Sequence, residues 1–125
     1  MAKQPTQQEI QSVLMLLNNG KLAETEAAAK KLLQRYPDTF ILYHALGIAQ
    51  DGLGKFNDSS DSYSKALKLQ PNTPDLHFNL GIALSNINKL DEAVKSYQKA
   101  IQLQPQFFEA HEHRIRHHSA CSARA

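Results

Sequence analysis

Hydrophobic and polar positions alternate along this chain with a helical period. Leu42, Leu46, Ala49 and Leu53 recur at spacings of 4, 3 and 4, which places them on one face of a helix. A second run comes next, with Phe56, Ser59, Ser60, Tyr63, Ala66, Leu67 and Leu69 at its apolar and small positions. Between the runs lies Asp51-Gly52-Leu53-Gly54-Lys55, whose glycines can take the left-handed conformation that ends a helix. Asn57-Asp58 or Asn88 can cap the second helix of a pair or turn the chain. A proline just past the second run stops it. The predicted unit is helix, tight turn, helix, proline stop.

The unit recurs. Pro37, Pro71 and Pro105 are spaced by 34 and 34, and residues 40–73 match residues 74–107 at 13 of 34 positions. Chance would give roughly two matches at average composition. The stretch 6–39 is a third, more diverged copy, with Lys21, Leu22 and Pro37 in register and Gly20 opposite Gly54. Gly47 and Gly81 fall in mid-helix, where glycine costs about 1 kcal/mol against alanine. A recurring cost predicts a recurring benefit, the close approach of a partner helix. Ala66, Ala93, Ala100 and Ser59 are the small residues expected to face it, with Tyr63 and Tyr97 filling the larger gap alongside.

Leu-Gly, a small residue, an aromatic, an alanine and a proline in a 34-residue period resemble the tetratricopeptide repeat. The motif residues are Leu46-Gly47, Gly54, Phe56, Tyr63, Ala66 and Pro71, then Leu80-Gly81, Leu90, Ala93, Tyr97, Ala100 and Pro105. Departures are Tyr43 and His77 for the usual tryptophan, Gln50 and Leu84 for an aromatic, and Ser12-Val13 with Ala29 in the first copy. The resemblance implies an all-α, right-handed superhelical solenoid of antiparallel helix pairs. The expected units are 6–39, 40–73 and 74–107, after a short extension at 1–5. First helices line a concave face, which usually binds a peptide or helix of another protein. Residues matching concave positions are Ile10 and Leu14, then Ile41, His44, Ile48 and Asp51, then Asp75, Phe78, Asn79 and Ile82. The row Leu14, Ile48 and Ile82 is either a floor for an apolar ligand face or ordinary interhelical core. Chaperone-binding members of the family hold an acidic carboxyl terminus with lysines and asparagines at such positions. Ile10, His44, Phe78, Leu14, Ile48 and Ile82 assemble no such clamp.

Composition narrows the classes. The chain has 125 residues, with 42% hydrophobic and 21% charged, as expected of one folded domain. A net charge of +2, with both signs scattered, argues against a nucleic-acid binder led by bulk charge. A lone cysteine, Cys121, excludes an intramolecular disulfide framework. No apolar run approaches the roughly 20 residues of a membrane span, and a cytoplasmic location is the expectation. No nucleophile–base arrangement and no phosphate-cradling loop is present, so neither an enzyme nor a cofactor is expected. Lys21, Lys55 and Lys89 read as solvated, and His44 and His77 as structural.

After His111 the pattern breaks, within a segment, 108–125, expected to be a partial fourth helix and a His/Arg/Ala-rich tail. Phe108-Glu109-Ala110-His111 parallels the start of a fourth unit, but Glu112-His113-Arg114-Ile115-Arg116-His117-His118 does not continue it. Codons for that stretch read one base later permit Asn-Ile-Gly-x-Ala, so a change of reading frame is one expectation and a native tail the other. On a helix His113 and His117 share a face at a metal-ligating spacing, with no further ligand pair to complete a site. The expected function is a non-catalytic scaffold binding a peptide or helix. The alternatives are the recognition arm of a larger enzyme, such as a bacterial glycosyltransferase or sulfotransferase, and a module that self-associates through its uncapped C-terminal end.

Overall fold

The computed structural model describes residues 4–105. These residues form α1 (Gln7–Asn18), α2 (Leu22–Arg35), α3 (Phe40–Gly52), α4 (Phe56–Leu69), α5 (Pro74–Asn86) and α6 (Leu90–Leu103). The expected all-α helix-pair solenoid is what they build. Each helix packs on the next, and α3 also touches α1 and α5, so the first helices of the pairs lie in a row. α2 and α4 make no such contact with each other. Residues 106–125, including His113, His117 and the break in the pattern, lie outside the described set.

Local chemistry sets the ends of the elements. The Thr6 hydroxyl accepts from the Glu9 N–H at 3.1 Å and the Glu9 carboxylate accepts from the Thr6 N–H at 2.9 Å, a reciprocal cap on α1. Pro74 starts α5, where its missing N–H removes no helical bond. Within each pair the turn is the same. Gly20, Gly54 and Asn88 have φ of 75°, 79° and 64°. The N–H groups of the next residues, Lys21, Lys55 and Lys89, donate to Leu16, Gln50 and Leu84 at 2.9, 2.8 and 2.9 Å. Asparagine is among the residues that tolerate the left-handed region, which is why Asn88 can stand where the other turns use glycine.

Three local expectations are corrected. Asn57 and Asp58 lie inside α4, and its N-cap is Lys55, which makes no side-chain cap bond. Gly52 ends α3 without a left-handed φ, and a Cβ there would meet Leu22 Cδ1 at 2.6 Å. That glycine serves the approach of α2 rather than the turn. Leu53, assigned by its spacing to the buried face, is the C-cap of α3 and is 38% exposed, because the helix has ended.

Two cores hold the stack. Val13, Ala29, Leu42, Ala45 and Leu46 form the first, between α1, α2 and α3. Tyr63, Ala66, Leu76 and Ala83 form the second, between α4, α5 and α3. The mid-helix glycines have a more specific reason than small-residue contact. A Cβ on Gly47 would meet the Tyr63 ring at 2.5 Å, and one on Gly81 would meet the Tyr97 ring at 2.8 Å. The tyrosines therefore lie directly on the glycines, not beside them. In the first pair Val13 stands at the glycine position and Ala29 at the tyrosine position, buried to 1% and 0% exposure. Bulk has moved from one helix to the other.

Candidate functional site

The row α1, α3, α5 shows one face to the outside of the stack. On α3, Ile41, His44, Ile48 and Asp51 fall on that face by helical period. Ile10 and Leu14 are their counterparts on α1, and Asp75, Phe78, Asn79 and Ile82 on α5. Ile10, Leu14, Ile41, His44, Ile48, Phe78, Asn79 and Ile82 are all half-buried. Leu14 packs against the first core and Ile48 against the second, so the apolar row is partly interhelical packing and partly surface.

Two of these side chains meet directly. Asn79 Nδ2 donates to His44 Nε2 at 3.4 Å, joining α5 to α3. Burial pushes the His44 pKa down, opposed only in part by the Asp75 carboxylate, so the ring is neutral at pH 7 and Nε2 is free to accept. The ring of His44 also stands edge-on to Tyr63, at 6.3 Å between centroids and 68°. Phe78 packs on Tyr97 in the same register at 5.7 Å. His77 points elsewhere, with Nε2–H donating to the Pro71 carbonyl at 2.8 Å, which makes it a structural histidine. Asp51 Oδ1 is buried with no hydrogen-bond donor, and burial raises the pKa of its carboxyl. Burial, and then the Asp51 charge, push the Tyr63 phenol far above its usual range.

The opposite side of α3 carries a polar cluster that sequence reasoning missed. Lys55 Nζ reaches Glu26 Oε1 at 2.8 Å, Gln50 Nε2 donates to Glu26 Oε2 at 3.2 Å, and Lys30 Nζ lies 3.4 Å from the same oxygen. Ser62 Oγ donates to Gln50 Oε1 at 2.6 Å. The Lys55 hydrogen bond is the main cause of the lowered Glu26 pKa, against the opposing effect of burial. Lys55 is exposed, as expected of a solvated lysine, and is an ion-pair partner as well. The available signal was Gln50 aligned with Leu84, a polar residue in a column otherwise apolar. Beside the cluster a cleft of about 430 Å³ opens between α2 and α4, lined by Lys30, Tyr43, Gln50, Asp61, Ser62 and Lys65 among others. None of the expected groove residues lines it.

Among the described residues no group of His, Cys, Asp and Glu could hold a metal ion, and no helix is long and apolar enough to cross a membrane. The tetratricopeptide repeat model matches residues 74–107, and a second model of the same repeat matches residues 52–88. Residues 52–107 are tetratricopeptide repeat. No curated protein matches the chain significantly. Solved structures do. MamA of AMB-1 is 26% identical, with a TM-score of 0.74 over 78% of this chain and 58% of that one. MamA of MSR-1 is also 26% identical, with a TM-score of 0.71 over 75% and 54%. The chain therefore spans just over half the length of these two MamA chains. The first tetratricopeptide domain of Spaghetti (RPAP3), solved with the HSP90 peptide SRMEEVD, has a TM-score of 0.81 over 91% and 90% of the two chains. At 23% identity, that likeness is one of fold.

Proposed function

We propose that this chain is a non-catalytic interaction module of three repeats, 6–39, 40–73 and 74–107, that holds a peptide or helix of another protein against the α1–α3–α5 face. The observation that carries the reading is the half-buried row of Leu14, Ile48 and Ile82 with the His44–Asn79 pair beside it. Apolar surface is present for affinity and fixed polar groups for orientation. The RPAP3 domain is one protein of this fold solved with a peptide. Its acidic ligand is not carried over, because Ile10, His44 and Phe78 supply no cation to receive a carboxylate. Random peptides displayed on phage and selected on the folded chain test the reading. Selected peptides should lose binding to the Ile82→Asn and Phe78→Asn chains. Binding unchanged by both substitutions counts decisively against this face.

A second reading is favoured by Leu90 and Val94 on α6, which are 58% and 50% exposed. A second copy covering them would make a dimer through the C-terminal pair. The matching surface of α1 carries Gln8, Gln11 and Ser12, all exposed, so such pairing would be like to like rather than head to tail. Val94→Glu should lower the solution mass if this contact forms. A mass equal to one chain over a wide concentration range counts against it.

A further inference from the structure

Charge is segregated between the two sides of the stack. The first helices, α1, α3 and α5, contain no lysine or arginine. The cations of the described residues lie on α2, α4, α6 and the turns, for example Lys30, Arg35, Lys65, Lys68, Lys95 and Lys99. The face of the first-helix row carries only carboxylates. His44 adds no charge, since burial holds its ring neutral. Helical register puts Asp51 on the same face of α3 as His44 and Ile48, and Asp75 stands in the first turn of α5, ahead of Phe78 and Ile82. The third carboxylate of the row, Glu9, is already engaged by Thr6, Tyr36 and Arg35. Asp51 is not: Oδ1 is buried without a donor and no hydrogen bond is made to the carboxyl.

We propose that the groove selects an apolar peptide segment bearing lysine or arginine, the charge opposite to that of an acidic tail; this rests on the groove proposed above. Ile48 and Ile82 supply the apolar floor, while Asp51 and Asp75 supply the counter-charge. A ligand ammonium or guanidinium meets the carboxylates of Asp51 and Asp75 and no cation on the row. The selectivity is not a consequence of net charge, because the chain as a whole is +2 and its bulk field favours acidic ligands.

The test uses two fluorescein-labelled synthetic peptides with one apolar pattern, leucines at i, i+3 and i+7. One has lysine and the other glutamate at the intervening positions. Fluorescence anisotropy at low ionic strength should show the lysine peptide binding about tenfold tighter, the scale set by reversing two partly exposed charge pairs. The Asp51→Asn/Asp75→Asn chain, checked for unchanged helical circular dichroism, should bring the ratio of affinities close to one. Ile48→Asn should weaken both peptides. Equal or tighter binding of the glutamate peptide overturns the charge inference and leaves the groove standing. So does a lysine preference that survives in the Asp51→Asn/Asp75→Asn chain. If neither peptide binds, or if binding ignores both Ile48→Asn and Ile82→Asn, the groove fails and the inference with it.

Discussion

Where α2 meets α3, the chain buries Glu26 and Gln50; where α4 meets α5, the same positions hold Ser60 and Leu84. The backbones are alike, with the same turn and the same N–H bond from Lys55 and from Lys89. The side-chain solutions are not. At the first junction Lys55 and Gln50 bind one carboxylate, and Ser62 binds Gln50. At the second, Ser60 turns back to the Asn57 carbonyl at 2.9 Å and Leu84 is buried at 8% exposure. Within the pairs the contrast is one of size, Val13 with Ala29 against Gly47 with Tyr63. A repeat constrains helix placement, and complementary side chains can satisfy that placement in more than one way. Each must be complete, since a half-satisfied buried set is worse than either.

The largest expected effect comes from breaking the size match. Tyr63→Ala empties the second core and should cost about 3–5 kcal/mol in urea unfolding followed by circular dichroism. Gly47→Val places methyl groups inside the Tyr63 ring and should cost about 1–3 kcal/mol. The double variant copies the Val13–Ala29 arrangement and should lose less than the sum, with a coupling of about 1–3 kcal/mol. Strict additivity would mean that the exchange of bulk is not compensating.

The polar junction comes next. Glu26→Ala leaves the buried Gln50 Nε2 without its acceptor and should cost about 1–3 kcal/mol. Replacing the set together, as Glu26→Ser with Gln50→Leu, imitates the second junction and should be within about 1 kcal/mol of the parent. A double variant as unstable as Glu26→Ala would show that the two junctions are not interchangeable.

Acid titration separates the junctions further. The Glu26 pKa in the fold lies below its ordinary value of 4.5, so its contribution is fully present above that value and is lost as the pH falls through the lowered one. Lys55 shifts the other way, above 10.5, so its share is present below that value and is lost as the pH rises through the raised one. Thermal melts should therefore fall more steeply below pH 4.5 for the parent than for Glu26→Gln. Parallel acid limbs would remove Glu26 from the account. The smallest change is Asn88→Gly, which makes the third turn match the other two. It should alter stability by no more than about 1 kcal/mol, since relief of the left-handed strain is offset by glycine's freedom in the unfolded chain.

Much of the face proposed as a groove was legible in the chain. The resemblance to the tetratricopeptide repeat picked out Ile41, His44 and Ile48, and their spacings of 3 and 4 put them on one helical face, because a helix face is a local property. The same arithmetic left open whether Leu14, Ile48 and Ile82 were floor or core, and the structure has Leu14 and Ile48 serving in part as core. The His44–Asn79 bond spans 35 residues and depends on how far α5 is rotated against α3, which no local pattern encodes.

By itself the sequence determined the helix pairs, the turns at Gly20 and Gly54, the proline stops and the cation-free row of first helices. Each of these is a consequence of residue type and short-range spacing. Only the tertiary structure decided that Tyr63 and Tyr97 rest on glycines, that Gly52 makes room for Leu22, and that Lys55 closes on Glu26. Those contacts form between helices whose relative rotation and depth are set by packing as a whole. Side chains far apart in sequence find their partners only once that packing exists.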